Sequence, residues 1–167
     1  MFLYDEKKLS EFITLKKDNK WIWRLVLFLV TVPVVSALKL WNFTDCFQYF
    51  TDWNMWLTFV HVLIVLSCLE CEESKGLLAA AHATFELSLI MNMIVCCIYW
   101  PFLHGVTMIK FKGDFWKTLH MYHVHSFPMI SLILLWYFNE LRLCRGHWKV
   151  LIPLGPIYAC WNYYCFL

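Results

Sequence analysis

The chain has 167 residues, of which 61% are hydrophobic, 19% are aromatic and only 16% are charged. A soluble domain of this size could not bury so large an apolar fraction, whereas about five bilayer spans of roughly 20 residues would absorb about 100 residues. The composition therefore indicates an integral membrane protein and excludes a water-soluble globule. The formal net charge is +2, and the basic residues are dispersed among apolar ones, so a nucleic-acid partner is not expected.

Residues 1–20 form the first predicted unit, an amphipathic helix lying in the membrane interface. Leu9, Phe12 and Ile13 fall on one face of this helix. The lysines around that face are Lys7, Lys8, Lys16, Lys17 and Lys20. The segment lacks the early apolar core and the small-residue cleavage site of a secretory signal, so we expect the first span to act as an uncleaved signal anchor.

Residues 21–167 are predicted to form a single domain, an all-α polytopic membrane helical bundle with about five transmembrane helices. The predicted spans cover about 21–40, 53–69, 79–103, 119–138 and 148–167. The third span is expected to stop at Trp100-Pro101, because proline cannot continue the backbone hydrogen-bond ladder without a cost.

The distribution of basic residues predicts the orientation of these spans. With the amino terminus in the cytoplasm, ten basic residues lie on the cytoplasmic side: Lys7, Lys8, Lys16, Lys17, Lys20, Arg24, Lys75, Arg142, Arg145 and Lys149. Four lie on the opposite side: Lys39, Lys110, Lys112 and Lys117. This asymmetry favours a cytoplasmic amino terminus. We expect a multi-pass protein of an endomembrane or the plasma membrane rather than the mitochondrial inner membrane.

Two polar clusters stand at the entrances of the second and fourth spans. The first is the segment 49–53, which contains Thr51 and Asp52, and the second is the segment 120–128, which contains three histidines. Because these two spans run in the same direction, both clusters lie on the side opposite the amino terminus, where they can meet. A threonine hydroxyl becomes a nucleophile when a neutral histidine within hydrogen-bond reach accepts its proton.

The spacing of the histidines restricts which of them share a helix face. His120 and His123 are three residues apart and lie on one face, whereas His125 is rotated by about 200° from His123. Thr51 with His123 would suffice for nucleophilic chemistry. Asp52, His120 and His125 are expected to support catalysis or bind substrate.

Structural interpretations compete with each of these assignments. Thr51 and Asp52 are residue types that cap helix amino termini, and interfacial histidines often bond only to a neighbour. The other histidines are interpreted as packing or interface groups, with His82 as the nearest partner for Glu86 one turn later. We expect no metal site or cofactor: the chain has a single histidine cluster instead of the repeated boxes of membrane di-iron enzymes, and Cys68-x-x-Cys71 has no second pair at zinc-finger spacing.

The two clusters together resemble the androgen-induced and androgen-dependent TFPI-regulating protein family of membrane hydrolases. The resemblance rests on Tyr49-Phe-Thr51-Asp-Trp53 before one span and on His120-x-x-His123 followed five residues later by Pro128. The closing segment Gly155-Pro-Ile-Tyr-Ala-Cys-Trp161 is similar to the small and aromatic fifth span of that family. The similarity covers about residues 21–165 and its motifs are short.

This resemblance implies an intramembrane threonine hydrolase that acts on fatty acid esters of hydroxy fatty acids. The essential threonine and histidine of the family correspond to Thr51 and His123, and His120 matches the other histidine of the motif. The chain departs from the family pattern in carrying Asp52 beside the nucleophile and in ending where the family continues into a sixth span. The expected partners are membrane lipids or long-chain fatty esters. The alternative is a pseudoenzyme or a lipid-packing accessory subunit that associates with other membrane subunits.

Overall fold

The computed structural model describes residues 13–16, 18, 20–41, 49–70, 74–144 and 151–165. Within them, six α-helices and two short strands follow one another along the chain. They are β1 (Ile13–Thr14), α1 (Lys20–Leu40), α2 (Phe50–Glu70), α3 (Lys75–Ile98), a π-helical turn (Tyr99–Leu103), α4 (His104–Lys110), α5 (Phe115–Phe138), β2 (Glu140–Leu141) and α6 (Leu151–Cys165).

Among the residues that the structure describes, three stretches are long and apolar enough to cross a membrane. They are Lys20–Leu40, Phe50–Glu70 and Lys75–Lys110, the last of which runs through the π-helical turn. The mostly helical fold confirms the predicted all-α class, and the three apolar segments are consistent with the predicted membrane protein. Helix α5 has 24 residues and α6 has 15, and the polar histidines in the first half of α5 lower its hydropathy.

The helices pack into a bundle in which α1 contacts α5 and α2, and α3 contacts α2 and α5. The buried face of α1 recurs about every fourth residue, at Ile22, Val26 and Val30, as expected for a helix that faces a core on one side. Phe85 of α3 and Leu132 of α5 are fully buried in the same apolar cluster. These contacts hold α2 and α5 next to each other, which sets the geometry of the site described below.

Pro101 does not end the third apolar segment, contrary to the sequence-based expectation. The chain instead passes through the π-helical turn Tyr99–Leu103 and continues as α4 to Lys110. A π-helical turn hydrogen-bonds each amide to the carbonyl five residues earlier, so it can absorb a proline that would otherwise break an α-helical ladder. The predicted boundary at 103 was therefore wrong.

The start of the chain also differs from the expected helix over residues 1–20. Residues 1–12 of that segment lie outside the described residues, but Ile13–Thr14 is an extended strand that pairs antiparallel with Glu140–Leu141. Ile13 is buried in the core, and the Lys16 amide donates to Asn139 Oδ1 at 2.8 Å. Ile13 and Thr14 are therefore held by backbone pairing to a distant strand, and the prediction of a helix at these two residues was wrong.

The turn before α5 is fixed by its own residues. Gly113 has a φ of 91°, a left-handed conformation that other residues rarely adopt. Asp114 then caps α5 by accepting the Lys117 amide at 3.1 Å. This backbone hydrogen bond lowers the pKa of the Asp114 carboxyl below its ordinary value.

His82 and Glu86 bind the segment that follows β2, and the predicted pairing of these two residues is confirmed. Both side chains are buried, with His82 Nε2 and Glu86 Oε1 3.9 Å apart. His82 Nε2 donates to the Arg142 carbonyl at 2.7 Å, and Glu86 accepts the amide of Cys144. The pair thus holds residues 142–144 against α3.

A buried polar network joins α2 to α3. The Asn92 amide donates to Asn54 Oδ1 and to Thr58 Oγ1, each at 3.0 Å, and to the Ser88 carbonyl at 2.9 Å. Asn54, Thr58 and Asn92 are each at most 2% exposed. Since a lipid environment supplies no competing water, these bonds fix the register between the two helices.

Replacing Asn92 by alanine tests this network. We expect Asn92→Ala to lower the free energy of unfolding by about 1–2 kcal/mol, because interhelical hydrogen bonds in membranes are worth up to about 1.7 kcal/mol. The measurement is equilibrium unfolding of the purified protein in mixed micelles. Met93→Ala is the control, because Met93 is 51% exposed, and it should change the free energy by less than about 0.5 kcal/mol. Equal effects of the two substitutions would show that the network does not stabilise the bundle.

Candidate functional site

Thr51 is the second residue of α2 and its side chain faces α5. Thr51 Oγ1 lies 3.5 Å from His125 Nε2. This is long for a hydrogen bond but is typical of catalytic pairs before substrate binds. The amino terminus of α2 also directs the positive end of its helix dipole toward Thr51, which favours negative charge there. The site thus combines a hydroxyl, a base, and a helix dipole that stabilises a negatively charged oxygen.

The tautomer of His125 is set by its own helix. Nδ1 of His125 lies 2.7 Å from the carbonyl of Met121, one turn earlier. A carbonyl can only accept, so Nδ1 carries the proton and Nε2 presents its lone pair to Thr51. The Thr51 hydroxyl therefore donates to Nε2. Met121 precedes His125 by four residues, a spacing that is visible in the sequence, but no sequence pattern marks Met121 as a functional residue.

The π-helical turn supplies the aromatic support of His125. Tyr99, its first residue, stacks on the imidazole with ring centroids 3.3 Å apart and planes 10° apart. On α3, Cys96 Sγ donates to the His125 carbonyl at 3.2 Å. π-helical turns are frequent at functional sites because they change the facing of side chains. No sequence motif marked Tyr99, since its position depends on how the chain passes Pro101.

Asp52 caps the amino terminus of α2. Its Oδ2 accepts the Tyr49 amide at 3.2 Å, so the carboxylate reaches back to the residue before the helix, as in a capping box. The Phe50 amide donates to the Tyr158 hydroxyl at 3.1 Å, which ties α6 to this end of α2. Both Thr51 and Asp52 were candidates for the helix cap. Asp52 is the residue that caps the helix, and Thr51 faces His125.

His120 lies beside this site and is bound to α1. His120 Nδ1 and Ser36 Oγ are 2.7 Å apart, and the Trp41 ring packs on the imidazole with centroids 4.7 Å apart. No sequence pattern marks Ser36, because a serine inside an apolar span carries no local signal of its partner on another helix.

His123 is separated from Thr51 by the rotation of α5. Its ring stacks on Phe127 with centroids 4.5 Å apart, and it lines a groove toward α1 to which Thr51 does not contribute. His123 and His125 differ by about 200° around the helix, so α5 presents one of them to α2 and turns the other away. The expected pair of Thr51 with His123 is corrected to Thr51 with His125.

A cavity of about 450 Å³ opens at the Thr51 pair. Thr51, Asp52, His120 and His125 all line it, so four of the five site residues expected from the sequence share one cavity. Lys110 and Lys117 contribute positive charge to its lining. The volume lies within the range of small-molecule sites.

The arrangement can perform acid–base and nucleophilic chemistry. A neutral histidine with a fixed tautomer can take a hydroxyl proton and return it to a leaving group. Within the described residues, no three histidine, cysteine or acidic side chains are grouped closely enough to hold a metal ion.

Comparison with protein-family models, with curated proteins and with solved structures found no match to this chain. The family resemblance therefore rests on the motif residues alone.

The tautomer of His125 can be measured directly. In ¹⁵N-histidine NMR spectra of the purified protein near neutral pH, we expect His125 Nδ1 to resonate as a protonated nitrogen and Nε2 as an unprotonated one. The signals are assigned by their loss in His125→Gln, and His123→Gln serves as the matched control that removes a different pair. The opposite tautomer at His125 would contradict the hydrogen bond to the Met121 carbonyl.

Proposed function

We propose that the protein is an intramembrane lipid ester hydrolase in which Thr51 is the nucleophile and His125 is the general base and acid. The observation that carries the proposal is the 3.5 Å approach of Thr51 Oγ1 to His125 Nε2 beside a cavity of about 450 Å³. The fixed proton on Nδ1 supports it further, because the free lone pair of Nε2 already points at the hydroxyl.

The reaction proceeds in two balanced halves. Thr51 Oγ1 attacks the ester carbonyl while His125 Nε2 takes the hydroxyl proton, and collapse of the tetrahedral intermediate breaks the bond to the alkoxy oxygen, which leaves with that proton. Water then gives a proton to Nε2 and attacks the acyl-threonine. Thr51 leaves with the proton returned from the imidazole, and a fatty acid is released. The amino-terminal dipole of α2 favours the oxyanion in both halves.

The substrate class follows from the cavity lining. Lys110, Lys117 and Asp52 line the same cavity as Thr51. Because Lys117 is already paired with Asp114 at 3.1 Å, Lys110 is the cation that we expect to complement an ester that also carries a free carboxylate. Fatty acid esters of hydroxy fatty acids have this combination, and they are the substrates that the family resemblance implies. The proposed partners are membrane lipids and long-chain fatty esters, and the chemistry requires no cofactor.

The proposal includes a five-span topology with a cytoplasmic amino terminus, in an endomembrane or the plasma membrane. It is supported by the length of α5, whose 24 residues exceed the 21 residues of Lys20–Leu40 and of Phe50–Glu70. The contacts of Tyr158 and Trp161 in α6 with Trp53 near the start of α2 also support it. In this topology the Thr51 cavity lies at the end of the bundle opposite the amino terminus.

Two substitutions test the catalytic pair. We expect Thr51→Ala and His125→Gln each to lower kcat for a palmitoyl ester of a hydroxy fatty acid by at least about 10²-fold, because each removes a partner in the proton transfer. The measurement is fatty acid release by purified protein in phospholipid nanodiscs. Thr118→Ala and His123→Gln are the matched controls, since neither residue lines the cavity, and both should retain most of the wild-type kcat.

Other outcomes point to other functions. Full activity in Thr51→Ala would remove the threonine from the mechanism, and loss in His123→Gln with full activity in His125→Gln would restore the pair expected from the sequence. A folded wild-type protein without any hydrolysis would favour the alternative, a pseudoenzyme or lipid-packing accessory subunit.

A further inference from the structure

A second, larger groove lies between α1 and the first turns of α5. It has a volume of about 900 Å³ and shares one residue, His120, with the Thr51 cavity. The hydrogen bond between Ser36 and His120 joins the two helices at the wall between the groove and that cavity. The proposed mechanism uses no residue that lines this groove.

The body of the groove is apolar and elongated. Leu27, Phe28, Val32 and Val35 of α1 line it. Two charged residues of α1 line the groove near its ends, Arg24 and Lys39. They are about 22 Å apart along the helix axis at 1.5 Å per residue. This length is most of the about 30 Å thickness of a hydrocarbon core, so a single extended acyl chain fits along α1.

The charged side chains that line the groove are basic. Among its described lining residues, the charged side chains are Arg24 and Lys39, and both are basic. Lys39 is exposed in the last turn of α1, and Trp116 and His123 of α5 line the groove with it. A cation at the end of an apolar groove complements the carboxylate of an amphiphile.

We propose that the groove between α1 and α5 binds one long-chain fatty acid, with its carboxylate at Lys39 and its chain along Leu27, Val32 and Val35. A neutral lipid would leave the charge of Lys39 uncompensated, which is why the fatty acid is favoured over a fatty ester. The binding does not require catalysis at Thr51.

Photolabelling with a diazirine analogue of palmitate tests the site in the full-length protein in phosphatidylcholine nanodiscs. We expect displaceable labelling on the α1 segment around Val32 and Val35, mapped by mass spectrometry. Free palmitate should compete about fivefold better than methyl palmitate, because only the acid carries the charge that Lys39 recognises. Lys39→Gln should raise the palmitate concentration for half displacement about fivefold, as expected for one exposed ion pair.

Matched variants locate the ligand. Val35→Trp should abolish displaceable labelling by filling the groove, while Leu38→Trp should leave it unchanged, because Leu38 is exposed on α1 but does not line the groove. Thr51→Ala should label like the wild type, which separates this site from the catalytic proposal. Thermal unfolding of each variant verifies that it is folded.

Three results would overturn the site. Equal competition by methyl palmitate would show that no carboxylate is recognised. Equal labelling of Val35→Trp and Leu38→Trp would show only ordinary contact with bulk lipid. A loss of affinity in Lys110→Gln but not in Lys39→Gln would place the fatty acid in the Thr51 cavity instead.

Discussion

The hydrocarbon region of a membrane offers no water to polar side chains, so a polar group between these helices is stabilised by a partner inside the protein. Asn92 has such partners in Asn54 and Thr58, and His61 Nδ1 has one in Thr84 Oγ1 at 2.9 Å. Such bonds fix the rotation of α2 and α3 about their axes. Because α2 is fixed, its first turn carries Thr51 to the one face of α5 that presents His125, and the proposed chemistry depends on that rotation.

The three histidines of helix α5 lie in three different environments. His125 faces α2 and Tyr99, His120 is bound to Ser36 of α1, and His123 lines the groove. The division follows from the 100° step of an α-helix, which turns His125 about 200° from His123 and about 140° from His120. His120 and His123, three residues apart, share a face, and both line the groove. One short segment thereby serves both the Thr51 cavity and the groove, with His120 between them.

The sequence predicted the helical class, the approximate positions of the apolar segments and the pairing of His82 with Glu86. It could not predict which histidine faces Thr51, because the motif spacing marks His123 whereas the packing of α5 selects His125. Pro101 misled the prediction of a helix end, since whether a chain breaks or widens into a π-helical turn depends on tertiary contacts. Ile13 was assigned to a helix by its periodicity, but its strand partner lies more than a hundred residues away at Leu141, where local patterns carry no information.

The central claim is that Thr51, activated by His125, forms a covalent bond to the acyl group of a lipid ester. The most direct measurement is mass spectrometry of the purified protein after brief incubation with p-nitrophenyl palmitate and acid quenching. We expect a palmitoyl ester on Thr51 in the wild type and its absence in His125→Gln, with His123→Gln acylated like the wild type. Acylation of another residue, such as Ser36 beside His120, or no acylation of a folded protein, would contradict the account.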